Sequence, residues 1–118
     1  MKITRDEVLR KTDYRCAYCG ADLRDKKWHV DHFIPVVRNP YTKKMLQSKN
    51  HNLDNLVAAC APCNMNKGSF DIDYWKDVLG RYMERREVKT LMRLGIIKLD
   101  NFPIKFHYEK EKQNDARL

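Results

Sequence analysis

The apolar and polar positions divide the chain into a few short elements. Thr4 is followed three positions later by Glu7 and then by Val8 and Leu9, the pattern of a capped helix over residues 4–14. From Trp28 to Val36 the β-rich residues predict a strand, stopped by Pro35 and followed by a polar loop through Arg38, Asn39, Pro40, Lys43 and Lys44. A second ordered stretch begins near Asn55-Leu56-Val57. Beyond Gly68, Asp71 or Asp73 can cap a helix that carries Trp75, Leu79 and Tyr82 on one face. Val88, Leu91 and Met92 resume an apolar face after Glu84-Arg85-Arg86-Glu87, in a shifted register that fits one bent helix or two. Ile104 to Tyr108 alternates like a strand, and Glu109 to Leu118 reads as a frayed end. There is no internal repeat and no low-complexity linker.

Length and charge narrow this outline. At 118 residues the pattern describes one small α+β domain over the whole chain, whose thin core would gain from a metal or disulfide staple. The 24 Lys+Arg against 16 Asp+Glu give a net charge of +8, spread over both halves, so a basic surface surrounds a folded body. Nucleic acid is the usual partner of such a surface, and a merely solvated surface has the same composition. The charged start, Met1 to Val8, lacks the apolar core of a secretory signal. The best apolar run, Leu56 to Ala61, is far too short to cross a bilayer. The expectation is therefore a cytoplasmic protein with no membrane partner, a setting in which paired thiols hold metals more often than disulfides.

The four cysteines form two C-x-x-C pairs, Cys16-Ala17-Tyr18-Cys19 and Cys60-Ala61-Pro62-Cys63. A tight knuckle turns residues i and i+3 toward one ion, so the pairs together supply four thiolates for a tetrahedral zinc site. Gly20 gives backbone freedom after the first knuckle and Pro62 stiffens the second. Three disulfide connectivities are formally open, and structural zinc is preferred over them. A four-thiolate site is coordinatively closed, so this zinc would hold the fold and do no chemistry. The interval between the pairs is too long for a simple zinc ribbon and contains His29, Asp31, His32 and His51.

Asp31 is a hard oxygen ligand suited to Mg²⁺ or Mn²⁺, and neutral His32 beside it can take a proton from water. On an extended strand the two point to opposite sides, which separates metal binding from water activation. An Asp-His dipeptide alone says little. The ordered set Cys16-x-x-Cys19, Val30-Asp31-His32-Phe33-Ile34-Pro35, Asn55-Leu56 and Cys60-x-x-Cys63-Asn64-x-x-Lys67-Gly68 is far more specific, and with it the chain resembles the HNH endonuclease family in its four-cysteine branch. The resemblance covers residues 14–68, leaving a helical C-terminal extension over residues 71–118.

The resemblance implies a ββα-metal finger (His-Me finger), stapled by zinc on Cys16, Cys19, Cys60 and Cys63 and flanked by N-terminal and C-terminal helices. It implies a phosphodiester hydrolase acting on DNA, with Asp31 and Asn64 holding the catalytic Mg²⁺ or Mn²⁺ and His32 as general base. Asn55 would hold the hairpin loop and His32 in place, and the products would carry a 5′-phosphate and a 3′-hydroxyl. Bacterial and phage-infected cells are the setting it suggests. Asn64 at the last motif position, where other branches have His, leaves two oxygen side chains and favours Mg²⁺.

Other residues carry weaker expectations. Lys67, one turn beyond Asn64, is placed to meet phosphates, and Lys43 and Lys44 in the inter-strand loop extend a DNA-binding track. Arg81, Arg85, Arg86, Lys89 and Arg93 fit either such a track or a solvated face. Trp75, Leu79, Tyr82, Leu91 and Met92 read as core. His29, on the strand face of Asp31, fits either a metal or phosphate contact or a solvated strand position; His51 and His107 are assigned ordinary hydrogen bonds, and residues 72–118 are expected to set the substrate or to form a homodimer for double-strand cleavage. The competing function is a non-catalytic four-cysteine zinc module binding nucleic acid or protein, which has no need of Asp31, His32, Asn55 and Asn64 together.

Overall fold

The computed structural model of the chain describes residues 2–36, 40–42 and 51–110. In order, these form α1 (Arg5–Lys11), β1 (Trp28–His32), a single 3-10 turn (Leu53–Asn55), β2 (Leu56–Cys60), α2 (Ala61–Lys67), α3 (Ile72–Tyr82) and α4 (Arg86–Arg93). Among the described residues no helix is long and apolar enough to cross a membrane.

The N-terminal helix is closed by the box its sequence predicts: Glu7 N donates to Thr4 Oγ1 at 3.2 Å and Thr4 N donates to Glu7 Oε2 at 3.4 Å. It buries Val8 and ends at Thr12, after which Asp13 and Tyr14 take positive φ of 55° and 61°. That reversal aims the chain at Cys16, and a bridge between Arg15 and Asp22 closes the base of the first knuckle.

β1 and β2 form an antiparallel hairpin in which Trp28 faces Cys60, Asp31 faces Val57 and His32 faces Leu56. Every residue of β2 is buried, because the strand is apolar and has helices packed on it. α2 starts where β2 stops, with Cys60 as its N-cap and Pro62 in its first turn, where a missing N–H is harmless. One residue thus ends a strand, begins a helix and supplies a sulfur.

The C-terminal extension packs on this finger. Asp71, not Asp73, caps α3 by accepting from Tyr74 N at 2.8 Å. Between Tyr82 and Arg86 the helix breaks, so the shifted apolar register corresponds to two helices. Trp75 is buried and stacks on Phe106 with ring centroids 4.7 Å apart, while its Nε1 donates to Asn66 Oδ1 at 2.8 Å. Leu79 packs against the core, but Tyr82 is exposed, with the Arg85 guanidinium over its ring, and leaves the predicted core stripe. α4 buries none of its residues.

The predicted terminal strand does not form. Residues 104–106 are irregular and a helical turn begins at His107. Alternation needs a partner strand to become a sheet, and the backbone here finds the first knuckle instead: His107 N donates to Tyr18 O and Tyr108 N to Ala17 O, both at 2.9 Å.

Candidate functional site

All four Sγ atoms of Cys16, Cys19, Cys60 and Cys63 lie within 4.8 Å of one another, and none of the thiols is in a disulfide. Cys19 and Cys60 are 3.7 Å apart, and a tetrahedron with metal–sulfur bonds of about 2.3 Å has edges of about 3.8 Å. The cluster is positioned to hold one metal ion. A hydrogen bond with Cys63 lowers the Cys16 pKa to about 4, burial opposing, and the same bond and burial push Cys63 far upward. Tyr18 N and Cys19 N also point at Cys16 Sγ, at 3.4 and 3.5 Å, as donors that favour a thiolate. Gly20 is required twice over, since its φ is +79° and a Cβ there would stand 2.8 Å from His107 Nδ1.

Asp31 and His32 are consecutive on β1 and differ in surroundings as strand alternation demands. Asp31 is buried, and its Oδ2 takes two donors, Tyr18 Oη at 2.5 Å and Lys67 Nζ at 3.1 Å. No described residue engages its other oxygen, Oδ1. Burial, and then the negative charge of Asp31, hold the Tyr18 hydroxyl far above its ordinary pKa, so it remains a donor. Lys67 is only 1% exposed, and its ammonium also donates to His32 O at 3.2 Å. Lys67, expected to meet phosphates, is here enclosed and engaged by protein oxygens. The turn of α2 that follows Asn64 faces the hairpin, and a lysine enclosed there needs a carboxylate more than solvent.

Asn55 clamps the chain just past the dipeptide. Its Oδ1 accepts from Ile34 N at 2.7 Å and its Nδ2 donates to Ile34 O at 2.9 Å, while Asn55 O accepts from Phe33 N at 2.8 Å. The Lys11 ammonium steadies the turn that carries it, donating to Leu53 O, Asp54 O and Leu56 O at 2.7, 2.8 and 2.9 Å. Asn64 lies on α2, half-buried, and its side-chain amide bonds to no described residue.

His51, expected to make an ordinary hydrogen bond, makes it to the candidate base. Its Nδ1 lies 2.8 Å from His32 Nε2, which ties the ring of His32 to the far end of the inter-strand loop. Its place four residues before Asn55, next to the Asn52 that caps the 3-10 turn, is the only signal the sequence offers. Tyr18 figures in the sequence only as a residue inside the first C-x-x-C pair, with nothing there to mark its bond to Asp31. His29 is half-buried opposite Ala59, and His107 packs against Gly20. Lys43 and Lys44 lie outside the described residues. Of the later cations, Arg81 pairs with Asp77 at 2.7 Å and Lys89 with Glu84 at 3.0 Å, both exposed.

Residues 16–70 match the family model described as HNH endonuclease. Over 71 residues the chain is 28% identical to the CRISPR-associated endonuclease Cas9 of Corynebacterium diphtheriae, a stretch covering 60% of this chain and 6% of that protein. No solved structure matches. The family match takes in both cysteine pairs, Asp31, His32, Asn55, Asn64 and Lys67. Residues 16–70 thus match the HNH endonuclease domain, and the hairpin, the helix that follows it and the four cysteines grouped to hold a metal ion are consistent with the ββα-metal form of that family.

Proposed function

We propose that the protein is a DNA endonuclease that hydrolyses phosphodiester bonds with His32 as general base and one Mg²⁺ or Mn²⁺ held by Asp31 and Asn64. The observation that carries this is the opposed setting of neighbours on β1: Asp31 anchored through one oxygen, and His32 oriented by His51. The donor set fits a hard divalent ion, because Asp31 Oδ1 and the Asn64 amide are oxygen ligands that no described residue engages. When bound, such an ion supplies charge stabilisation for the phosphorus centre and the leaving oxygen.

The remaining work falls to the chain. His32 takes the proton from the attacking water; in the tautomer that donates through Nε2 to His51, Nδ1 is the basic nitrogen. Asn55 keeps the backbone after His32 from shifting, so the base stays aligned. In-line attack of water on phosphorus expels the 3′ oxygen and leaves a 5′-phosphate and a 3′-hydroxyl. Zn²⁺ on Cys16, Cys19, Cys60 and Cys63 is structural, since four thiolates leave it no open position. Lys43 and Lys44 supply phosphate contacts, and the enzyme works in the cytoplasm of a bacterial or phage-infected cell.

Purified protein is expected to nick or cut plasmid DNA in Mg²⁺ or Mn²⁺ and to stop on addition of EDTA. His32→Ala should lower the rate about 10²- to 10⁴-fold with zinc content unchanged. Wild-type protein that binds DNA yet leaves duplex, junction and single-stranded substrates intact in both metals would overturn the enzyme reading in favour of a binding module.

A further inference from the structure

Tyr18 occupies a singular position. It lies inside the first knuckle, between two metal-binding cysteines, and its backbone is held from both sides: its N–H points at Cys16 Sγ and its carbonyl accepts from His107 N. Its ring is edge-on to Trp75, Phe106 and Tyr108, at centroid distances of 5.1, 5.5 and 6.5 Å. At 3% exposure the phenol has nowhere else to go, and its hydroxyl ends 2.5 Å from Asp31 Oδ2. We infer that Tyr18 is a positioning residue for the catalytic ion, one that couples the cysteine cluster and the C-terminal extension to Asp31; this rests on the reading of Asp31 as a ligand of that ion.

The physical basis is the convergence of two donors on one oxygen. Asp31 takes both Tyr18 and Lys67 on Oδ2, so the two donors fix the plane of the carboxylate and neither occupies its second oxygen. Twisting the carboxylate out of that plane would strain two charge-assisted bonds together. Oδ1 is thereby held as the oxygen offered to the ion. Such supporting bonds commonly carry about 10- to 100-fold in metal affinity or activity. Lys67 alone cannot set the angle, because its ammonium rotates and is shared with His32 O. The rigid ring fixes the direction, and the cysteine cluster and the aromatic residues fix the ring.

The test uses the full-length, zinc-loaded protein and Mn²⁺ as probe, with free Mn²⁺ followed by electron paramagnetic resonance in the absence of DNA. Tyr18→Phe, which keeps the ring and removes the donor, is expected to retain one zinc per chain and the wild-type circular dichroism. It should bind Mn²⁺ about tenfold or more weakly and show a lower kcat with KM for DNA unchanged. Wild-type Mn²⁺ affinity and kcat in Tyr18→Phe would overturn the inference. Asp31→Asn separates it from the reading beneath: if that variant also binds Mn²⁺ normally, Asp31 is not a ligand and the site assignment itself fails. If Asp31→Asn is weakened and Tyr18→Phe is not, the role of Tyr18 alone is lost. Should Tyr18→Phe fail to hold zinc, Phe106→Leu decides: it loosens the ring and leaves the hydroxyl, so weaker Mn²⁺ binding at full zinc content supports the coupling and unchanged binding overturns it.

Discussion

His51 illustrates how much one side chain outside a motif can contribute. With His32 as the proposed base, its contact with His32 Nε2 is worth what a single hydrogen bond is worth, about 1 kcal/mol, or about fivefold in rate. His51→Ala is expected to lower kcat by about that factor, while His51→Asn, which keeps a polar atom near the Nδ1 position, should recover most of it. Steady-state cleavage kinetics on the three proteins decide the point, and equal rates in all three would remove His51 from the site. Asp31 and His32 are legible in the sequence because they are adjacent and stand in an ordered set of spaced signals. Tyr18, Lys67 and His51 are not, because what they do depends on partners 13, 36 and 19 positions away and exists only once the hairpin, knuckle and helix are assembled.

At the scale of elements, the hairpin and α2 are joined through cysteines, so a metal held by them would be part of the secondary structure's own geometry. Cys60 ends β2 and caps α2 without a side-chain hydrogen bond, and its sulfur belongs to the cluster. Removing the ion with a strong chelator is therefore expected to melt α2 together with the hairpin, as a loss of ellipticity and a lowered Tm, and cleavage should fall in parallel. Gly20→Ala should weaken the same unit by about 1–2 kcal/mol from its left-handed φ alone, and more from the approach of His107, measurable by urea denaturation. The helices over residues 4–14 and from Ile72 onward were readable from caps and apolar spacing, and the start of β1 from its β-rich residues, whereas the strand ends at His32, short of the Pro35 expected to stop it. The segment from Ile104 to Tyr108 misled because period-two alternation records which side chains are buried, here Phe106, without recording whether a strand lies beside them.

Across the whole molecule, the +8 charge separates into cations with internal duties and cations facing solvent. Lys67 and Lys11 are bound to protein oxygens, and Arg81 and Lys89 have acidic neighbours. The phosphate-contacting role proposed for the inter-strand loop thus rests on Lys43 and Lys44. Replacing both with Gln is expected to reduce the slope of log affinity against log salt by about 2, close to one unit per lost phosphate contact, whereas Arg81→Gln should leave it unchanged. Binding titrations over a range of salt concentrations, on uncleaved DNA without Mg²⁺, provide the measurement. The net charge of the chain gave no hint of this division, since a count cannot tell a buried ammonium from an exposed one.

The grip of Asn55 on Ile34 has a further consequence. Successive residues of β1 face opposite ways, so a slip of the hairpin by a single residue would exchange the surroundings of Asp31 and His32. Such a molecule would keep its sulfur cluster and much of its sheet and yet present the proposed base and the proposed ligand to the wrong partners. The paired amide bonds to Ile34 N and O act as a phase lock against that error. They distinguish a correctly indexed strand from a well-folded, inert one.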